Sequence, residues 1–170
     1  MFAFEALPSN VEQLRRNLEL NGMESRVTVV ACAVTQTPGP VRFLVHASGG
    51  MGKAAGSAGR IDNYQSEVTV PGISLDAFVY SQGNPPPQVV KMDIEGGEGM
   101  AVAGMHRLLT EMPPLILLEL HGPDASREVW NALRAAGYRI CWMRPGFPEV
   151  ASLGALGWKA YIVAKPPRPQ

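Results

Sequence analysis

The stretch from Val89 to His121 constrains the fold most. Two apolar-rich runs of strand length, Val89–Ile94 and Leu115–His121, flank a segment, Glu95–Glu111, whose apolar residues Met100, Ala103 and Leu108 recur at helical spacing. Strand, helix and strand in that order make a βαβ unit, and strands joined this way lie parallel in one sheet. The beginning of the chain follows the same plan. Phe2–Ala6 reads as a short buried strand, and Val11, Leu14 and Leu18 mark one face of a helix. Ser9 and Glu12 have capping-box spacing, and Asn21-Gly22 supplies a stop.

Between these units the signals favour extended chain. Val27–Val34 is a β-branched run, Thr37-Pro38-Gly39-Pro40 punctuates it, and Val41–His46 follows as another strand. Ala47–Ser66, rich in glycine, alanine and serine, is expected to be a long loop of the kind that forms a lid or a disordered tip. Val68–Val70 reads as a strand and Leu75–Tyr80 as a short helical turn. Beyond His121, Asp124 or Ser126 is expected to cap a helix that buries Val129, Trp130 and Leu133 and stops at Gly137. Tyr138–Met143 and Trp158–Ala164 close the fold as an antiparallel pair. The expected architecture is therefore one α/β domain over residues 1–165, a mostly parallel sheet with helices on both faces, followed by a proline-rich tail over residues 166–170.

Charge narrows the partners. The 15 lysines and arginines balance the 15 aspartates and glutamates, so neither nucleic acid nor an anionic membrane is an expected partner. No apolar run approaches the ~20 residues of a membrane span, and Met1-Phe-Ala-Phe-Glu5 lacks the basic start of a signal peptide. Cys32 and Cys141 lie in apolar runs and read as buried thiols, which predicts a soluble protein of the reducing cytoplasm.

In open α/β sheets a ligand sits beyond the carboxyl ends of the strands, so the acids at those ends are the candidate site residues. Glu5 ends the first strand, where an acid can accept hydrogen bonds from the two hydroxyls of a ribose. Lys91-Met-Asp93-Ile-Glu95-Gly-Gly-Glu98 brings three carboxylates together within a few residues. Such a group can deprotonate a hydroxyl, hold a hard cation through oxygen, or meet a cationic cofactor. Helix-dipole stabilisation suits Glu98 but explains Asp93 poorly. Glu119 and His121 stand two apart at the wet tip of a leucine-rich strand, where a carboxylate in an apolar run must be paired or solvated. Asp93, Glu95 and His121 are the catalytic candidates. His46 and His106 read as non-catalytic, and Ala47-Ser-Gly-Gly-Met-Gly-Lys53-Ala54 is not a P-loop, because Ala47 and Ala54 replace its leading glycine and its metal-binding hydroxyl.

The blocks Phe4-Glu-Ala-Leu-Pro-Ser-Asn10, Asn17-Leu-Glu-Leu-Asn21, Ser74-Leu-Asp76, Lys91-Met-Asp-Ile-Glu-Gly-Gly-Glu98 and Leu118-Glu-Leu-His121 together resemble the FkbM family of methyltransferases in order and spacing. The resemblance implies a class I methyltransferase fold (Rossmann-like), S-adenosylmethionine as methyl donor, and a small-molecule hydroxyl acceptor such as a sugar or other natural product. It also implies that Glu5 holds the donor's ribose, that Cys32 and Ala33 approach its adenine, and that Asp93 lies near the methyl group. Against the family pattern the chain begins at the second strand, without the glycine-rich first motif. The expectation is a gap between the strand ending at Glu5 and the strand ending at Asp93. Two further readings follow: a non-catalytic domain that accepts a partner strand or works as a homo-oligomer, and a nicotinamide-dependent oxidoreductase, for which no Gly-x-Gly-x-x-Gly follows any strand. No metal ligand set is assigned from the sequence, although the convergent carboxylates are compatible with assistance by a divalent cation.

Overall fold

The computed structural model describes residues 1–47, 51–58 and 64–167. The parts of the Ala47–Ser66 segment and of the tail that fall at 48–50, 59–63 and 168–170 lie outside the described residues. The chain opens with β1 (Phe2–Phe4), α1 (Pro8–Leu20) and β2 (Thr28–Val30), and β1 and β2 pair in parallel as a two-stranded sheet. Helix α1 starts two residues earlier than the capping box predicts. Pro8, with its φ already set for a helix, occupies the first turn, Leu7 is the cap residue, and no side chain caps it. The predicted stop holds: Asn21 ends the helix and Gly22 takes φ +61°.

The Val27–Val34 run is two strands rather than one. After β2 the chain breaks at Ala31-Cys32, and β3 (Ala33–Val34) joins a different sheet, pairing in parallel with β6 (Tyr64–Ile73). That sheet runs β3-β6-β4-β5, where β4 (Gly39–His46) and β5 (Gly52–Ala54) are antiparallel neighbours. Part of the expected long loop is therefore ordered strand. Lys53 on β5 is buried and donates to the carbonyls of Ser57 and Ala58, each at 3.3 Å, which engages its ammonium internally.

The third sheet has the order β7-β8-β10-β9, from β7 (Val89–Met92), β8 (Leu115–His121), β9 (Arg139–Trp142) and β10 (Lys159–Lys165). Strands β7 and β8 are parallel, whereas β10 is antiparallel to both of its neighbours. The fold is thus mixed α/β with three sheets, and the expectation of one mostly parallel sheet is corrected. The parallel pairs β1–β2 and β7–β8 come from βαβ units, whereas β3 and β6 run parallel across the intervening β4 and β5.

The predicted helix over Glu95–Glu111 divides into α2 (Glu98–Ala103) and α3 (His106–Glu111). Gly104 explains the break. A Cβ there would stand 2.1 Å from the carbonyl oxygen of Thr35, and Gly104 itself accepts from the Asp76 amide at 3.0 Å. Helix α3 restarts because the Asp76 carboxylate accepts from the Arg107 and Leu108 amides at 2.8 and 2.9 Å, capping it from a distant segment. Ala103, expected inward, is exposed, and Ala101 and Val102 are buried instead.

Helix α4 (Pro123–Ala135) also begins on proline, with Gly122 at φ +93° as its cap, so neither Asp124 nor Ser126 caps it. The central core lies where α2, α3 and α4 meet the third sheet. Leu108, Ile116, Leu118, Leu120, Val129 and Leu133 are all fully buried there. Edge-on ring contacts of Phe2 and Phe4 with Phe78, both at 5.0 Å, tie the first sheet to this body. A groove of about 600 Å³ separates β1 from β7, bordered by Phe2, Phe4, Val79, Val90 and Met92. Among the described residues neither strand has a second neighbour, so the expected gap between the Glu5 and Asp93 strand ends is present.

Candidate active site

Beside that groove, which Asp93 borders, strand ends and a helix start carry the candidate residues. Glu5 follows β1, Asp93 follows β7 and His121 ends β8. The strand conformation of β7 stops at Met92, so alternation does not carry on to Glu95. Glu95 has φ +53° and Gly96 φ +100°. A left-handed glutamate is uncommon, and such conformations cluster at working sites. The turn folds Glu95 back toward His121, whose Nε2 lies 3.9 Å from Glu95 Oε2 and 3.9 Å from Asp93 Oδ1. The predicted catalytic trio is therefore together in space.

Glu98 is the residue whose role the sequence reading missed. Grouped with the convergent carboxylates, with the helix dipole as its simplest explanation, it is wholly buried at the start of α2. Its Oε1 lies 2.9 Å from His121 Nδ1 and accepts from the Gly96 and Ile94 amides at 3.2 and 3.3 Å. An oxygen already accepting from two amides is an acceptor for the imidazole too, so Nδ1 donates and Nε2 is turned toward Asp93 and Glu95. Only the glycine pair Gly96-Gly97 before an acid hinted at this in sequence.

Two lysines balance part of the acidity. Lys91 Nζ is 3.2 Å from Asp93 Oδ2. Lys159 contacts Glu119, whose Oε1 also stands 3.3 Å from His121 Nε2. Hydrogen bonding from Lys159 holds the Glu119 carboxyl below the usual glutamate range, and the same pairing raises Lys159. Of the other histidines, His46 packs edge-on against Tyr64 at 6.4 Å, and His106 is exposed at the start of α3.

The cofactor candidates border a second cavity of about 260 Å³. Glu5, Cys32 and Ala33 line one side, and Asp93, Glu95 and Gly97 line the other. It adjoins the larger groove along Phe4, Val34, Asp93 and Ile94. Glu5 Oε1 accepts from the Leu7 amide at 2.8 Å, which fixes the carboxylate at the strand end. A carboxylate offers about four lone-pair positions, so capacity for two hydroxyl donors is left. Burial pushes the Cys32 thiol up to about 11, so it presents an uncharged apolar wall rather than a thiolate.

Known proteins match this chain in two ways. A family model described as the methyltransferase FkbM domain matches residues 1–140. A crystal structure of the methyltransferase FkbM from Methylobacillus flagellatus KT shares the fold with a TM-score of 0.58 at 16% identity, over 96% of this chain and 36% of that one. The chain therefore spans about a third of that structure's length. No curated protein matches it significantly.

Proposed function

The chain belongs to the FkbM methyltransferase family, and from that premise we propose that it moves a methyl group from S-adenosylmethionine to a hydroxyl of a small acceptor, a sugar or other natural product, on a class I methyltransferase-like fold. The cavity that carries Glu5, Cys32 and Ala33 on one side and Asp93 and Glu95 on the other supports this reading best. It provides a ribose-binding acid, an apolar wall for a base, and an acidic site within one continuous space.

The donor supplies a methyl carbon activated by a sulfonium. The acceptor oxygen forms the new bond to that carbon as the carbon–sulfur bond breaks, and its electron pair stays on sulfur. The acceptor's proton must go elsewhere. His121 Nε2 suits that task, because Glu98 holds Nδ1 as the donor side of the ring. Asp93 and Glu95, part-exposed beside it, would orient the hydroxyl. Glu5 would accept from the two ribose hydroxyls.

Calorimetric titration of the chain with S-adenosylmethionine tests the reading, with Glu5→Ala in parallel. The expected outcome is micromolar binding that the variant loses. Absence of binding by a folded wild-type chain would refute it. It would then favour a second reading, to which the open edges of β1 and β7 give some support: acceptance of a strand from another chain across the groove between them.

A further inference from the structure

Four carboxyl groups, Asp93, Glu95, Glu98 and Glu119, surround one nearly buried imidazole, whereas two lysines, Lys91 and Lys159, touch the group. The formal excess is two negative charges, beside a histidine only 5% exposed. Lys91, Lys159 and the partners of Glu98 engage three of the carboxyl groups, and Glu119 stands 3.3 Å from His121 Nε2, but no hydrogen bond joins that nitrogen to Asp93 or Glu95. The 3.9 Å separations of His121 Nε2 from Asp93 and Glu95 are too long for hydrogen bonds. They are just under twice the ~2.1 Å of a metal–ligand bond. One ligand atom from each of Asp93, Glu95 and His121 lies within 4.8 Å of the others.

Two independent features point the same way. Glu98 fixes Nδ1 from behind, which is the arrangement that orients a metal-bound histidine and fixes its tautomer. Oε2 of the same wholly buried glutamate has no hydrogen-bond partner among the described residues, which leaves a buried polar atom beside the cluster unsatisfied by the chain.

We infer that Asp93, Glu95 and His121 bind one divalent cation, with Glu98 positioning the imidazole. Mixed carboxylate and imidazole donors suit Mn²⁺, Fe²⁺ or Zn²⁺. Three protein ligands leave open positions, where an acceptor hydroxyl would be held and made more acidic; with the cation bound, His121 Nε2 is a ligand and no longer the base, and the hydroxyl's proton would leave to solvent, to which Asp93 and Glu95 are part-exposed. Use of the cation in methyl transfer rests on the function proposed above; its binding does not, so the two can fail separately.

The test is a titration of the metal-free chain with Mn²⁺, followed by the loss of the sharp paramagnetic resonance spectrum of the free ion. One equivalent should bind. Asp93→Asn and Glu95→Gln should each weaken binding at least ~10-fold, and Glu98→Gln should weaken it roughly 10- to 100-fold through the imidazole. Glu95 is half-exposed, so its variant stays informative if a change at a buried position disturbs folding. Glu12→Gln, on the exposed face of α1, should change nothing. No binding up to millimolar Mn²⁺, or equal binding by wild type and Glu95→Gln, would overturn the inference.

Discussion

Glu98→Ala is expected to destabilise the fold by about 3 kcal/mol. Its Oε1 accepts from the His121 imidazole at 2.9 Å and from two main-chain amides at 3.2 and 3.3 Å. Truncation strands three donors in a place the side chain now fills completely. An orphaned buried donor costs about 1–3 kcal/mol. Taking the low end for the two longer bonds and the middle for the imidazole gives about 4 kcal/mol. Removing a buried carboxylate whose Oε2 has no partner returns part of that, on the order of 1 kcal/mol. Urea denaturation followed by circular dichroism reads the difference, provided the slope stays constant. The same measurement on His121→Ala and on the double variant isolates the pair, for which a coupling of about 1–2 kcal/mol is expected between groups in direct contact. A loss below ~1 kcal/mol for Glu98→Ala, or additive losses in the cycle, would refute the view that Glu98 and His121 act as one buried unit.

Two other outcomes follow from the structure. Gly104→Ala should destabilise by at least about 2 kcal/mol, because its Cβ would meet the Thr35 carbonyl oxygen and overpacking against backbone has no cheap relief; a thermal midpoint equal to wild type would count against the close approach. Glu119, held below its ordinary range by Lys159, contributes stability that is fully present above the unfolded glutamate value of ~4.3 and is lost as the pH falls through the lower folded value. Lys159→Met should flatten that acid limb in a stability-against-pH series, and an unchanged limb would remove Lys159 as the cause.

Some of this was legible in the sequence and some could not be. Strand β8 matches its predicted span because a leucine- and isoleucine-rich run with polar residues only toward its tip has little else to become. Helix α4 and its end near Gly137 followed from periodicity and a glycine stop, whereas its capping residue was hidden by the proline that starts it. The break between α2 and α3 was illegible for a different reason. It depends on Thr35 and Asp76, which no local pattern connects to Gly104. The β2–β3 break is similar, since two strands of like composition can join different sheets without any change in residue type. At the site, the strand-end rule brought Asp93, Glu95 and His121 into view. The inward turn of Glu98 and its bond to His121 depend on how α2 packs, which a short-range reading does not reach.

The junction between the first sheet and the rest also shapes how the molecule melts. Among the described residues no backbone hydrogen bond links the segment up to Val30 with the third sheet, and the Phe2 and Phe4 contacts with Phe78 are apolar and non-directional. With packing of Phe2, Phe4 and Val30 as its tie to the core, the opening segment is expected to exchange its amides through an opening that leaves the third sheet intact. A molecule seated between Glu5 and Asp93 would touch both sides of that seam. Occupancy would then convert two weakly joined units into one, and the amides of β2, whose residues border neither cavity, would register it as slowed hydrogen exchange.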